Sequence, residues 1–313
     1  MIHLDNVAKE YGGWMATLRK RRVRALDGVS LHVAPGTVMG IVGPNGAGKS
    51  TLIKLLLGYL RPTGGSVRVD GVEPRAYAER RGIAYVPEVP TIPPAWTVGH
   101  AMRVFAALGE VDEPEARIGA ALERLGMKGV EGRKIDALSK GMLQRVAIAQ
   151  ALLGERAVMV LDEPTSGLDP EWIAELRAIV AEWREGAPGR VALIASHDLA
   201  ELERTADRVA VLEAGRVREV IDLRAPQTAF PAYRIEVEST HGAAEAVHAC
   251  FPDAVAEEGT PLAFRVQPAD ADDLSRRVAA LLARGVAVRA LAPERETLEQ
   301  RFREVRRRGR DRA

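Results

Sequence analysis

The chain has 313 residues, with 44 basic against 43 acidic side chains, a 47% hydrophobic fraction and only 4% aromatics. That length accommodates one large domain plus a small one, with a mostly aliphatic core. The even charge balance excludes a protein built globally to coat nucleic acid. A single cysteine, Cys250, excludes an internal disulfide or a thiolate metal cluster and fits a reducing compartment. No apolar run approaches the roughly 20 residues that cross a bilayer, and the start Met1-Ile2-His3-Leu4-Asp5 lacks the regions of a signal peptide. The expectation is a soluble chain, or one held at a membrane by something else.

Up to about Leu223, short β-rich runs alternate with helical stretches, the pattern of a mainly parallel sheet with helices packed on it. An early insertion from about Gly13 to Arg22 carries Arg19-Lys20-Arg21-Arg22, with Arg24 just beyond. It reads as solvated surface, with contact to anionic lipid or a membrane partner as the sharper alternative. Thr37 to Val42 reads as a buried strand and Lys49 to Gly58 as the helix after it. Val98 to Leu125 reads as helical throughout, which marks a helical subdomain at about residues 90–155 inserted into the sheet domain. Val158 to Leu161 and Val191 to Ala195 are further apolar strands. The pattern breaks near Arg224-Ala225-Pro226-Gln227. This divides the chain into a domain over 1–223, a linker over 224–231 and a small accessory domain over 232–313. The accessory domain reads as strand Tyr233–Val237, helix Ala243–Phe251, strand Leu262–Val266, helix Asp270–Arg284, strand Val286–Leu291 and helix Thr297–Arg307. Two βαβ-like halves of this size imply a compact α+β domain, a ferredoxin-like arrangement being one such fold. A second basic stretch runs from Arg301 through Arg306-Arg307-Arg308 to Arg312 and reads as a solvated or frayed end.

Two motifs carry chemistry on their own. Gly43-Pro44-Asn45-Gly46-Ala47-Gly48-Lys49-Ser50-Thr51 follows a strand and opens a helix, the context that a phosphate-binding loop requires. Its backbone N–H groups can turn inward on phosphate oxygens, its glycines allow the turn, and the helix N-terminus favours the anion. Lys49 would reach the β- and γ-phosphates of ATP, and the Ser50 hydroxyl would bind Mg²⁺. Val158-Met159-Val160-Leu161-Asp162-Glu163 buries four apolar residues and delivers two carboxylates at the strand end. Asp162 fits a magnesium ligand through water, and Glu163 is placed to polarise an attacking water.

Leu138-Ser139-Lys140-Gly141-Met142-Leu143-Gln144 then resembles the LSGGQ-type signature of ABC ATPases, in the variant form LSKGMxQ, and lies shortly before Asp162 as in that family. Ser139 can cap the helix that follows, and Gly141 can expose its N–H to a γ-phosphate. In the family this segment, here Ser139, Lys140, Gly141 and Gln144, serves the ATP held by the other subunit. Ser166-Gly167-Leu168-Asp169 resembles the D-loop that links two sites across a dimer, with Asp169 its acidic member. His197 follows a strand as the family's switch histidine does, implying contact with the γ-phosphate and the attacking water. Tyr11 resembles the aromatic that stacks on adenine, with Trp14 in the insertion as a competitor. Glu88, after Ala84-Tyr85-Val86-Pro87, holds the Q-loop place where many members carry glutamine; either side chain offers an oxygen to Mg²⁺. The proline-rich stretch Pro87 to Pro94 leads into the helical subdomain, which in the family contacts the transmembrane subunit.

The resemblance covers Met1 to Leu223. It implies an α/β fold, a P-loop NTPase of the ABC nucleotide-binding type with an inserted helical subdomain. It further implies ATP and Mg²⁺ as ligands, a homodimer, and a separate transmembrane permease that holds the chain at the cytoplasmic face of the membrane. No nucleic-acid partner is expected. LSKGM together with Glu88 looks like the branch that includes drug, sodium and polysaccharide exporters. The tail Glu296-Thr297-Leu298-Glu299-Gln300-Arg301-Phe302 is similar to the short C-terminal domain of that branch. The implied function is an ATP-hydrolysing subunit that powers export. The rival is a soluble ABC protein acting in translation or DNA repair. Ribosome-acting relatives carry two cassettes, and DNA-repair relatives insert coiled coils or zinc modules; neither is visible in this sequence.

Overall fold

The computed structural model describes residues 1–12, 23–166, 168–225, 230–239, 241–257, 262–294 and 297–310, without the side chains of 294 and 308–310. Trp14, the basic cluster at 19–22, Gly167, Pro226, Gln227, Glu296 and Arg312 lie outside the described residues. The chain divides into two compact units: Met1–Arg224 together with Phe302–Ala313, and Ala225–Arg301.

The first unit begins with β1 (Ile2–Tyr11), β2 (Val23–Val33) and β3 (Val38–Val42), followed by α1 (Lys49–Leu56), β4 (Gly64–Val69), α2 (Pro74–Arg81) and β5 (Ala84–Val86). Helices α3 (Val98–Leu108), α4 (Pro114–Arg124) and α5 (Lys140–Leu152) come next. The unit closes with β6 (Val158–Asp162), α6 (Pro170–Glu185), β7 (Val191–Ala195), α7 (Leu199–Thr205), β8 (Arg208–Glu213) and β9 (Arg216–Asp222). Strands β2, β1 and β4 form an antiparallel sheet. A second sheet has the order β5-β6-β7-β3-β8-β9, parallel except for the last pair. Every residue of β3, β6 and β7 is buried, as a parallel sheet covered on both faces demands. One apolar core joins the two sheets: Ile2, Leu4 and Val33 from the first, Met39, Val160 and Leu193 from the second, and Leu52, Ile53 and Leu56 of α1.

The segment expected to be continuous helix over Val98–Leu125 is instead broken into α3 and α4. Gly109 caps the end of α3 and Pro114 opens α4. Between them Glu110 and Glu113 take left-handed φ values of 50° and 49°. Proline lacks the N–H that would continue a helix but suits a first turn, so the sequence restarts a helix at Pro114 rather than extending one.

The second unit holds β10 (Ala232–Val237), α8 (Ala243–Cys250), β11 (Val255–Ala256), β12 (Ala263–Val266), α9 (Ala271–Ala283) and β13 (Val288–Glu294). Its sheet runs β11-β12-β10-β13, antiparallel at every pairing. The element order is that of the ferredoxin-like pattern. Ile235, Val247, Phe251, Phe264 and Leu281 form its core, and Cys250 is buried with them. The last helix, α10 (Leu298–Arg310), begins in this unit and ends in the first, where Arg306 pairs with Glu213 at 3.3 Å. No helix among the described residues is long and apolar enough to cross a membrane.

Strand β3 is anchored at its start by Asp207. This buried carboxylate accepts the Val38 N–H at 2.8 Å and pairs with Arg184 and Arg224. Asp207→Ala leaves the buried Val38 N–H without its acceptor. The expected loss is about 2–3 kcal/mol, read as a lower urea midpoint for unfolding.

Candidate active site

The turn after β3 is shaped by two close backbone approaches. A Cβ on Gly43 would lie 2.1 Å from the Leu212 carbonyl oxygen at the end of β8. Gly48 has φ +110°, and a Cβ there would lie 2.6 Å from the Ala25 oxygen in β2. Only glycine fits either place. The turn then enters α1, which has no side-chain N-cap, so its first N–H groups face no competing acceptor of their own chain's caps and suit an anion. Lys49 is buried; its Nζ donates to the Gly43 carbonyl at 2.7 Å and lies 3.8 Å from Glu163 Oε1.

The carboxylates reach this turn through strand register. β6 and β7 run parallel with Asp162 opposite Ala195, and the Glu163 N–H continues the ladder to the Ala195 carbonyl at 2.8 Å. Glu163 sits at φ +47°, a left-handed conformation uncommon for a residue with a side chain and frequent at functional turns. Its Oε2 lies 2.7 Å from His197 Nδ1 and accepts from the His197 N–H at 3.3 Å and the Ser196 hydroxyl at 3.4 Å. One carboxylate thus touches the lysine of the phosphate turn with one oxygen and the histidine with the other.

These groups surround a cavity of about 700 Å³. It gathers the whole stretch Gly43, Pro44, Asn45, Gly46, Ala47, Gly48, Lys49, Ser50 and Thr51 together with Tyr11, Glu88, Asp162, Glu163 and His197. The Tyr11 hydroxyl lies 3.3 Å from Thr51 Oγ1, and Lys9 Nζ sits 5.6 Å from its ring centroid. Three lining residues escape the sequence reading: Val23, Arg24 and Ala25. Val23 stands opposite Tyr11 in the β1–β2 pairing, a contact that crosses the insertion and has no local signal. Arg24, grouped by sequence with a basic run, is instead engaged by Glu10 and Asp27, and Asp27 also takes Arg216. Those hydrogen bonds, Arg216 first, hold the Asp27 carboxyl below its ordinary range.

Burial, reinforced by Glu163 and Glu88 and opposed by Lys49 and Lys54, pushes the Asp162 carboxyl up to about 6. A cavity rich in carboxylates and held by one buried lysine suits a hard divalent cation. The donors are all oxygen: the Ser50 hydroxyl and the Asp162 and Glu88 carboxylates. No group of three or more His, Cys, Asp or Glu among the described residues could hold a metal by itself. Mg²⁺ keeps waters and phosphate oxygens and takes few protein ligands.

Ser139, Lys140, Gly141, Gln144 and Asp169 do not line this cavity. Ser139 caps α5, accepting the Met142 N–H at 3.2 Å, and Asp169 caps α6, accepting the Trp172 N–H at 2.8 Å. Lys140 Nζ lies 3.5 Å from the Ser166 hydroxyl, and buried Gln144 donates to the Pro164 carbonyl at 3.5 Å. A Cβ on Gly141 would meet nothing closer than Leu168 at 3.6 Å. Packing inside the chain therefore does not require glycine there.

A family model for ABC transporters matches residues 26–166. The chain is 34% identical over 224 residues to a Nod factor export ATP-binding protein I of Paraburkholderia xenovorans (strain LB400), covering 69% of this chain and 68% of that one. It is 41% identical over 212 residues to the zinc import ATP-binding protein ZnuC of Paracoccus denitrificans (strain Pd 1222), covering 67% and 77%. An uncharacterized ABC transporter ATP-binding protein YdbJ of Bacillus subtilis (strain 168) is 28% identical over 304 residues, 96% of this chain and 94% of that one. Among solved structures, a dimeric post-hydrolysis state of the ATP-binding cassette MJ0796 bound to ADP and Pi superposes with a TM-score of 0.65 at 26% identity. The match covers 72% of this chain and all of that cassette.

The Asp162 carboxyl predicts a pH signature. Its ordinary value is 3.8, so between about pH 4 and pH 6 the folded chain keeps a proton that the unfolded chain releases. The stability of the nucleotide-free, metal-free protein therefore falls as pH rises through that window, and the loss is complete above it. Glu88→Gln removes one charge that raises Asp162. It should lift the Tm by about 1–2 °C at pH 7.5 and leave it unchanged at pH 4; an equal shift at both pH values would contradict the coupling.

Proposed function

The chain belongs to the ATP-binding subunits of ABC transporters and is an ATPase of that class, with ATP and Mg²⁺ as its ligands; from that premise we propose that its hydrolysis powers export through a separate transmembrane permease. The reading is carried by the division of the motifs between two surfaces. Lys49, Asp162, Glu163 and His197 share one cavity, while Ser139, Gly141 and Asp169 stand outside it with their backbone ends capped. Such a division suits a site completed by a second copy. In this reading two copies enclose two ATP molecules, each held by Lys49 of one copy and by Ser139 and Gly141 of the other.

Bound Mg²⁺ would offset charge on the β- and γ-phosphate oxygens. Lys49 and the N–H groups of the phosphate turn hold those oxygens. Glu163 polarises the water that attacks the γ-phosphorus as the bond to the bridging oxygen breaks. His197, within hydrogen-bond reach of Glu163 and with a side chain 72% exposed, orients that water and the γ-phosphate. Tyr11 stacks on adenine, with Val23 beside it. Binding closes the pair of copies and product release reopens it, a cycle able to drive alternating access in the permease. Export is favoured over import by the pairing of LSKGM with Glu88 and by the accessory unit at residues 225–301. The permease would hold the chain at the cytoplasmic face of the membrane.

Glu163→Gln should lower steady-state ATPase activity at least about 100-fold while ATP still binds and promotes dimerisation. Retained turnover would remove Glu163 from the mechanism. Lys49→Ala should lose ATP binding, measured by calorimetry, and undiminished affinity would contradict the phosphate role. Purification of the tagged chain from its native membrane should recover a polytopic membrane protein. Recovery with ribosomes or DNA instead would favour a soluble ABC protein of translation or repair.

A further inference from the structure

The turns that carry Glu163 and His197 are tied together on their strand side by the β6–β7 ladder and the Glu163 N–H to Ala195 carbonyl bond. Each turn then runs into a helix, α6 after Glu163 and α7 after His197. Helix α7 has only seven residues, and Leu202 is its single buried one. Burial of one leucine is a weak anchor for a helix that carries the end of a catalytic turn.

A second tie lies on the helix side. Arg177 of α6 and Glu201 of α7 face each other with Nε and Oε2 3.4 Å apart. Both atoms are fully buried, and neither has a well-formed hydrogen bond among the described residues. The other Glu201 oxygen lies 3.6 Å from Arg204, which is largely exposed. Arg177 and Glu201 also help line a mostly apolar cavity of about 20 Å³ that Pro164, Thr165 and Ser196 share. The same Ser196 hydroxyl donates to Glu163 Oε2 and accepts the Asp198 N–H at 3.0 Å. Asp198 in turn caps α7 by accepting the Glu201 N–H at 3.1 Å. The Glu201 carboxylate thus faces Arg177 as an ion pair, while the Glu201 backbone leads through the Asp198 cap and the Ser196 hydroxyl to the Glu163 carboxylate. A partly buried ion pair contributes little net stability, because desolvation offsets its attraction, so its worth is better sought in geometry.

We propose that Arg177 and Glu201 are a positioning pair for ATP hydrolysis: they lock α7 against α6 and thereby hold Ser196 and His197 on the Glu163 carboxylate. The inference rests on Glu163 as the group that polarises the attacking water. Loss of the pair lets the Ser196–His197 turn drift from Glu163 while the phosphate turn, on a different strand, keeps its grip on nucleotide.

The test uses the purified full chain and follows kcat, KM for ATP, ATP affinity by calorimetry and Tm. Arg177→Met should lower kcat roughly tenfold or more with ATP affinity unchanged within about twofold. It should also lower Tm, because the buried Glu201 oxygen that faced Arg177 loses that charge and keeps only the exposed Arg204 on its other side. The double variant Arg177→Met with Glu201→Leu removes both charges, so Tm should recover while kcat stays low. Wild-type kcat in the folded single variant overturns the proposal. So does recovery of kcat together with Tm in the double variant, since the pair would then serve stability alone. Glu163→Gln run in parallel separates the two layers. If it retains turnover, the reading of Glu163 fails and this proposal with it. If it is inactive while the pair variants turn over normally, only the positioning role fails.

Discussion

Asp162 stands opposite Ala195 in the parallel ladder of β6 and β7, and that register brings two distant stretches of sequence to one carboxylate. A parallel pair cannot be closed by a tight turn, so a crossover helix must join its strands; here it is α6. Both strands then end at the same level, on the carboxyl edge of the sheet where open α/β folds bind their ligands. The left-handed backbone at Glu163 turns its side chain toward Lys49 on one side and His197 on the other. Slipping β6 by one residue would send Glu163 to the opposite face and dissolve the site.

The phosphate turn obeys a different constraint. It is wedged between the ends of β8 and β2, closely enough that Gly43 and Gly48 cannot carry side chains. The Gly215 N–H donates to the Ala47 carbonyl at 3.0 Å and the Asp27 N–H to the Gly215 carbonyl at 2.8 Å, so the antiparallel sheet braces the turn from behind. Rigidity of this kind lets backbone donors meet an anion without reorganising. Burial in the cavity, reinforced by the neighbouring carboxylates and opposed by Lys49, raises Asp162 and makes the site costly to keep charged without a cation.

The features legible in the sequence are those whose signal is local. β3, β6 and β7 read as strands because a strand buried on both faces must be apolar at every position, and Val38–Val42, Val158–Leu161 and Val191–Ala195 are. The turn over 43–51 and the burial of Lys49 in its cavity are legible because glycine spacing between a strand and a helix is a local signal. The break between α3 and α4 escaped because apolar residues recur at helical spacing on either side of it, and Pro114 serves a helix start as well as an end. β11 escaped because Val255 and Ala256 are two exposed residues with no alternation to read. Val23, Arg24 and Ala25 reach the cavity only through pairing across the insertion. Arg177 and Glu201 look, in sequence, like the polar faces of two amphipathic helices; only their meeting in the fold takes the facing atoms out of water.

Helix α10 starts in the second unit and finishes in the first. The second unit is therefore bracketed by its host at both ends, as an inserted module is, rather than hung from one end as an appendage. A stop codon just after Arg224 would delete that module and also strip the host of the returning segment with Arg306 and its bond to Glu213. Gene shortening could not shed the accessory unit cleanly; only an internal excision that spares the final helix could. Such an arrangement ties the inheritance of the small unit to the integrity of the large one, whatever ligand or partner the small unit came to serve.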